Sequence, residues 1–117
     1  MEISIMPSQA LHRSKPTIDT GIAALERKAS EAAQLLKLLA NENRLLILCR
    51  LLLARELSVN GLVIAVGISQ SALSQHLAKM RAEGLLATRR EAQTVYYRIA
   101  DPSAKRLLAL LKSIYCS

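Results

Sequence analysis

The chain has 117 residues, a length typical of one domain with one hydrophobic core. It contains three Tyr, no Phe and no Trp, so its hydrophobic residues are mainly aliphatic, which favours packed helices over an aromatic-rich β-sandwich or barrel. The net charge is +7, with +3 in residues 58–100 and +2 in residues 101–117, which favours a polyanionic partner. Neither a secretory signal nor a membrane-spanning stretch is recognisable, so we expect a cytoplasmic protein with no membrane partner.

The N-terminal part of the chain shows two different patterns. Residues 1–18 have no clear period and contain two of the three prolines, which predicts a flexible arm before a single domain at 19–117. Apolar residues then recur at helical spacing from Asp19 or Thr20 to Leu39. This pattern predicts one long first helix.

Two further helices follow, each with a recognisable start. Asn41 is a suitable N-cap for a second helix that runs from Glu42 to about Arg55. Ser58 is a suitable N-cap for a short third helix. That helix is expected to end at Gly67, because glycine adopts the left-handed conformation at little cost.

Ser69 is expected to cap a fourth helix, QSALSQHLAKMRAE, which ends at Gly84. Two short helices joined by a tight turn that contains glycine are typical of a helix-turn-helix. Helical spacing places Leu73, Leu77 and Met80 on the inward face. The outward face is polar and suited to base edges in the major groove of DNA. Its residues are Gln70, Ser71, Ser74, Gln75, His76 and Lys79.

The period changes to two after this helix, and the segments LLATRRE and TVYYRIA predict a β-hairpin. Arg89 and Arg90 of this hairpin are placed to contact phosphates or the minor groove. The connecting residues EAQ lack the Gly or Asn that tight turns prefer, which predicts a longer or looser turn. Asp101 and Pro102 then begin a last helix. The predicted fold class is mainly α with a small β-hairpin, a winged helix-turn-helix.

Residues 36–116 resemble the ArsR family of winged-helix repressors through the segments LKLLANENRLLIL, SVNGLVIAVGISQSALSQHLAKMRAEGLL and TRREAQTVYYRI. This resemblance implies a homodimer built from the first and last helices. It also implies a palindromic operator in double-stranded DNA as the binding partner, and release from DNA when an inducer binds. Such a regulator is not an enzyme and needs no cofactor.

Many members of this family sense metals, but the ligands that they use are absent here. Zinc and nickel sensors of this kind place Asp and His on the last helix, whereas residues 102–117 contain neither His nor an acidic residue. Arsenic and cadmium sensors cluster several thiols near the second helix, whereas Cys49 is followed by an arginine and leucines. Thiolate sites need several soft ligands within reach, so we expect no metal site.

Cys49 and Cys116 therefore remain as the candidate sensing residues. Cys49 shares a helical face with Leu45, Leu52 and Leu53, which predicts that it is buried as a small hydrophobic side chain. Burial favours an inert thiol. From chemistry alone, core filling and sensing remain open alternatives.

The segment NENRLLILC, together with a single cysteine near the end of the last helix, is similar to a dithiol subgroup of the family that responds to reactive sulfur species or oxidants. This resemblance implies that a disulfide or polysulfide bridge between Cys49 and Cys116 lowers the affinity for DNA. Closing this loop constrains the chain by about 4 kcal/mol in the chain-entropy model, more than the roughly 1 to 3 kcal/mol of a typical allosteric coupling.

Two other functions fit the same cysteines. One is a metal-sensing repressor that completes a site on Cys49 and Cys116 with ligands from the partner subunit. The other is a thiol enzyme, which the chain supports poorly because it has no C-x-x-C motif.

Overall fold

The computed structural model describes residues 16–116, with side chains from residue 21 onward. The chain divides after Gln34 into two compact units. The predicted N-terminal arm lies outside the described residues, except for residues 16–18, which begin the first helix.

The predicted first helix is two helices, α1 (Pro16–Arg27) and α2 (Ala29–Leu39), so the prediction of one continuous helix is wrong. The N–H of Lys28 is shared between the carbonyls of Ala24 and Leu25, at N···O distances of 3.2 and 3.0 Å. A three-centre bond of this kind is common where a helix ends. The apolar spacing continues through the break, which is why periodicity does not reveal it.

The next helices begin and end where the sequence predicts. Helix α3 (Glu42–Ala54) is capped by Asn41, and helix α4 (Val59–Val66) by Ser58, whose hydroxyl accepts a hydrogen bond from the N–H of Gly61 at 3.0 Å. Such a bond satisfies a backbone donor that has no partner within the helix. Helix α4 ends at Gly67, whose φ of 79° is left-handed.

The last two helices are also capped as predicted. Ser69 accepts a hydrogen bond from the N–H of Ala72 at the start of helix α5 (Gln70–Ala82). The carboxylate of Asp101 accepts hydrogen bonds from two N–H groups at the start of helix α6 (Pro102–Tyr115), with a proline in its first turn.

The predicted hairpin is confirmed as part of a sheet of three strands. Its strands β2 (Leu86–Glu91) and β3 (Thr94–Ile99) pair antiparallel, and a short strand β1 (Leu57–Ser58) pairs with the other edge of β3. Only Ala92 and Gln93 connect the hairpin, so the expectation of a longer or looser turn is wrong. Ala92 permits the tight turn by adopting a φ of 55°.

One apolar core joins the elements of the unit that starts at Leu35. Buried side chains come from α2 to α6 and from both hairpin strands, and no polar or charged residue of the described part of the chain is fully buried. The most deeply buried residues are Ile47, Leu48, Leu51, Leu62, Leu73, Leu77, Met80 and Leu85. Within the described residues, no helix combines the length and apolarity needed to cross a membrane.

Candidate nucleic-acid interface and thiol pair

The packing of α5 determines which of its side chains face outward. Leu73, Leu77 and Met80 are at most 1% exposed and fix the helix against α4 and β2. The opposite face is polar and open to solvent, as the spacing predicts. The exposed residues predicted to bind DNA are Gln70, Ser71, Ser74, Gln75 and Lys79, and His76 is half-buried at the edge of the same face.

Arg81 also belongs to this surface, although it was not among the residues predicted to contact DNA. It is exposed and follows Ser74 by seven residues, so it lies on the same side of α5. Lys79 points toward Glu83, with 3.4 Å between Nζ and the nearer carboxylate oxygen. Because exposed pairs at this spacing are weak, Lys79 remains free to exchange this partner for a phosphate.

The two arginines predicted to contact DNA from the hairpin differ in their surroundings. Arg89 donates hydrogen bonds from Nε to Glu56 at 2.9 Å and from Nη1 to Glu91 at 3.2 Å. Its guanidinium also lies 4.6 Å from the ring centroid of Tyr96. Arg90 is exposed, and no ion pair within the described part of the chain involves it.

The ion pair shifts the protonation equilibria of both partners. Hydrogen bonding to Arg89 is the main cause that lowers the pKa of Glu56, and the charges of Arg89 and Arg98 lower it further. Hydrogen bonding to Glu56 likewise raises the pKa of Arg89. Glu56 and Tyr96 were not singled out from the sequence, because their role depends on the pairing of β1 with β3.

Both cysteines are exposed, so the prediction that Cys49 is buried is wrong. Helix α3 buries a narrow arc made of Ile47, Leu48 and Leu51, and Cys49 lies outside it. Leu53, on the face that Cys49 was expected to share with the core, is 78% exposed. The leucines surround the helix, so the sequence does not single out the face that packs inward.

Cys116 follows the last residue of α6, and its backbone N–H donates to the carbonyl of Lys112 at 2.7 Å. Helix α6 contacts α3, which carries Cys49. The fold therefore places one thiol on α3 and the other directly after α6, the helix that α3 contacts. Among residues 16–116, no group of three or more His, Cys, Asp or Glu side chains is arranged to hold a metal ion, and His12 lies outside this range.

Comparison with known proteins identifies the family to which this chain belongs. A family model described as "Bacterial regulatory protein, arsR family" matches residues 41–88. Transcriptional activator HlyU of Vibrio cholerae is 50% identical over 92 residues, which cover 79% of this chain and 84% of HlyU. The chain belongs to the arsR family. The predicted resemblance of residues 36–116 to the ArsR family is thus confirmed.

Other relatives extend this ArsR-family assignment to the fold. The biofilm growth-associated repressor of Agrobacterium fabrum is 42% identical, over 82% of this chain and 81% of the repressor. The crystal structure of the transcriptional repressor BigR from Xylella fastidiosa superposes with a TM-score of 0.75 at 37% identity, covering 81% of this chain and 96% of BigR. A structure of reduced HlyU from Vibrio cholerae gives a TM-score of 0.74 at 49% identity, covering 80% and 98%. The winged helix-turn-helix fold is confirmed.

These relatives are named as regulators of transcription and not as enzymes, which agrees with the predicted role of this ArsR-family chain. Three observations indicate binding to DNA, namely the family, the polar face of α5 and the basic second half of the chain. The chain is a DNA-binding transcriptional regulator of the ArsR repressor family.

Proposed function

We propose that this ArsR-family chain is a homodimeric repressor that binds a palindromic operator and leaves it when Cys49 and Cys116 become linked. The observation that carries the proposal is the placement of two exposed thiols, one on α3 and one directly after α6, with these two helices in contact. Reagents in solution reach both thiols without any unfolding.

The DNA-binding part of the proposal rests on the outward face of α5. Its first turn presents Gln70 and Ser71, and the N-terminal residues of a recognition helix are those that contact base edges. Gln75, one turn further, forms the bidentate contact with adenine that a glutamine amide permits. Lys79 and Arg81 contribute the positive charge that phosphates attract.

The homodimer rests on apolar side chains that the single chain leaves exposed. On α6, Leu110 is 55% exposed and Ile114 is 60% exposed, and their spacing of four places them on one stripe of the helix. Helix α1 carries two further apolar side chains, Ile22 and Leu25, at 59% and 54% exposure. A second copy that covers such residues removes apolar surface from water.

The switch requires an oxidant that accepts two electrons from the two thiols. One thiolate attacks a sulfane sulfur of hydrogen disulfide or a polysulfide, which breaks a sulfur–sulfur bond and leaves a protein persulfide and hydrosulfide. The second thiolate then attacks the cysteine sulfur of this persulfide, forms the Cys49–Cys116 disulfide and expels a second hydrosulfide. Attack on a longer chain of sulfur atoms retains the extra sulfur in the bridge.

The fold offers a route from this bridge to the DNA. Helix α3 contacts both α6 and α4, and α4 packs against α5. A bridge that changes the position of α3 against α6 therefore acts on the elements that hold the recognition helix. In a two-fold dimer the two recognition helices must match half-sites about 34 Å apart, so a small change of their spacing lowers affinity.

The names of two relatives support repression, and the description of a third as reduced supports redox control. BigR is described as a transcriptional repressor and the Agrobacterium fabrum protein as a biofilm growth-associated repressor, while one HlyU structure is described as reduced. The metal-sensing alternative needs ligands from a second subunit, because Cys49 and Cys116 belong to no metal-binding group within the described residues.

The deciding experiment measures operator binding by fluorescence anisotropy before and after polysulfide treatment, with intact mass spectrometry of the same samples. We expect treatment to weaken binding by at least roughly tenfold, within the range of typical allosteric couplings. The mass should show a link between Cys49 and Cys116 within one chain. Reduction with dithiothreitol should restore binding.

The matched controls are Cys49→Ser and Cys116→Ser. Both should bind the operator like the reduced parent protein and lose the response. A full response in either variant contradicts the switch. A stoichiometric loss of binding with zinc, arsenite or cadmium that a chelator reverses would favour the metal-sensing alternative.

The DNA-binding face is tested separately with Gln75→Ala. We expect a loss of about 1 to 3 kcal/mol on the operator and little change on random DNA, since Gln75 is assigned to base recognition. Equal losses on both DNAs would contradict that role.

A further inference from the structure

A cleft of about 400 Å³ lies at the base of the wing, the hairpin of β2 and β3, beside the Glu56–Arg89 ion pair. It is formed by the C-terminal end of α3, the end of β3 and the first turn of α6. All of these elements belong to the compact unit that starts at Leu35. The volume falls within the range of sites that bind small molecules.

Three cations surround this cleft, namely Arg55, Arg98 and Lys105. All three are exposed, and within the described part of the chain none of them takes part in an ion pair. The one carboxylate on the lining, that of Glu56, is hydrogen-bonded to Arg89. The cleft therefore carries an excess of positive charge, with three cations and one carboxylate on its lining.

The backbone conformation of Arg55 is unfavourable for a residue with a side chain. Arg55 caps α3 with a φ of 75° and a ψ of −44°, a conformation that costs an L-residue with a side chain of the order of 1 to 3 kcal/mol. Glycine avoids most of that cost at the same position. This position, where glycine would have the lower conformational free energy, is occupied by an arginine that lines the cleft.

The cleft also has an apolar side. Leu51 and Ile99 are 1% and 3% exposed and form part of its lining, together with the half-buried Leu52. An inorganic anion can neutralise the three cations but leaves the half-buried Leu52 in contact with water. A ligand that combines a negative group with a short apolar body satisfies both sides of the cleft.

We propose that this cleft binds a small organic anion, a carboxylate attached to a short apolar body. The carboxylate lies among Arg55, Arg98 and Lys105, and the apolar body contacts the half-buried Leu52. Guanidinium groups suit this role because they donate parallel hydrogen bonds to the two oxygens of a carboxylate.

The test is an NMR titration of the reduced protein without DNA, so its result does not depend on the proposed repressor function. The probes are hexanoate and benzoate, with hexanamide as the neutral match and acetate and inorganic phosphate as anions without an apolar body. We expect saturable shifts at backbone amides around the cleft, with a Kd of roughly 1 mM or tighter for hexanoate or benzoate. Acetate, phosphate and hexanamide should bind at least roughly tenfold more weakly, because each lacks one of the two features.

Two variants locate the site. Arg55→Gly removes one cation and relieves the backbone, and Lys105→Gln removes another. Each should weaken hexanoate binding by at least roughly tenfold, as expected for a charge-assisted hydrogen bond. The matched control is Lys112→Gln, the same change on the same helix away from the cleft lining, and it should leave binding unchanged.

Three results would overturn the proposal. One is the lack of saturable binding for both hexanoate and benzoate up to roughly ten times the expected Kd. Another is tight binding of phosphate or acetate that matches hexanoate, since the apolar side would then have no role. The third is a loss of DNA affinity in Arg55→Gly and Lys105→Gln without carboxylate binding in the parent protein, which would make these cations phosphate contacts.

Discussion

The side chain of Arg89 crosses the ring of Tyr96 and binds the carboxylate of Glu56 at the opposite edge of the sheet. The strand order explains this geometry. Tyr96 on the central strand is paired with Arg89 on β2 and with Ser58 on β1, and Glu56 precedes Ser58 by two residues. The ion pair thus fastens the outer strand of the wing to the segment that follows α3.

Because of this ion pair, the two arginines that were predicted to contact DNA should contribute differently to DNA binding. Arg90 has no carboxylate partner within the described part of the chain. Plotted as log K for DNA binding against log salt concentration, the affinity of Arg90→Gln for the operator should therefore fall less steeply, with a slope smaller in magnitude by about 0.9. Arg89→Gln should lower that slope by clearly less, because Arg89 is already neutralised by Glu56 and Glu91. Equal reductions in slope would show that Arg89 leaves Glu56 to bind a phosphate.

The contribution of the Glu56–Arg89 pair to stability should depend on pH. The pKa of Glu56 is lowered in the folded protein, chiefly because of the hydrogen bond from Arg89. A lowered pKa means that the stabilisation is complete above the unfolded pKa and is lost as pH falls through the folded pKa. A double-mutant cycle of Glu56→Gln and Arg89→Gln, measured by urea unfolding, should show favourable coupling at about pH 7 that shrinks at about pH 3. Coupling that persists unchanged at the lower pH would contradict this assignment.

Most of the helix boundaries follow from the sequence because they depend on local chemistry. Asn41, Ser58, Ser69 and Asp101 cap the helices that they precede, since each side chain accepts a hydrogen bond from a nearby backbone N–H. The inward face of α5 is equally predictable, because its three large apolar residues share one side and its other positions are small or polar.

The features that the sequence does not reveal depend on contacts between distant residues. The two-residue strand β1 has no period of its own and exists only through its pairing with β3. The exposure of Cys49 depends on which face of a leucine-rich helix packs inward. The basic cleft joins Arg55 to Lys105, residues that are fifty positions apart in the chain. Composition and spacing contain no signal for such pairings.

The exposure of the two thiols should be measurable by alkylation. Iodoacetamide should modify Cys49 in the native reduced protein at a rate within roughly tenfold of the unfolded chain, because the side chain is exposed and needs no opening of the fold. Cys116 on the same molecule is the internal comparison. Strong protection of Cys49 from alkylation would contradict its exposure and agree with the burial that the sequence predicts. Protection of Cys116 alone would indicate that another copy covers the end of α6.

The turn of the wing stores strain that a single substitution should release. Ala92 has a φ of 55°, whereas Gln93 has no positive φ. We expect Ala92→Gly to raise the free energy of unfolding by about 0.5 to 1 kcal/mol, because glycine adopts this conformation without a steric penalty. Gln93→Gly is the control and should destabilise the protein, since it adds only flexibility to the unfolded chain. Urea unfolding of both variants measures the difference, and equal effects would contradict the strain.

The exposed stripe of α6 should control the oligomeric state. Leu110→Glu places a charge beside Ile114 on a surface that is proposed to be covered by a second copy, so the dimer dissociation constant should rise at least roughly tenfold. Ile64→Glu is the matched control, because Ile64 is 84% exposed on α4 and belongs to neither helix assigned to the dimer. Sedimentation velocity over a range of concentrations measures both variants. A dimer that tolerates Leu110→Glu as well as Ile64→Glu would exclude this stripe from the interface. If the stripe does form the interface, Leu110→Glu should also weaken operator binding, because a monomer holds only one half-site.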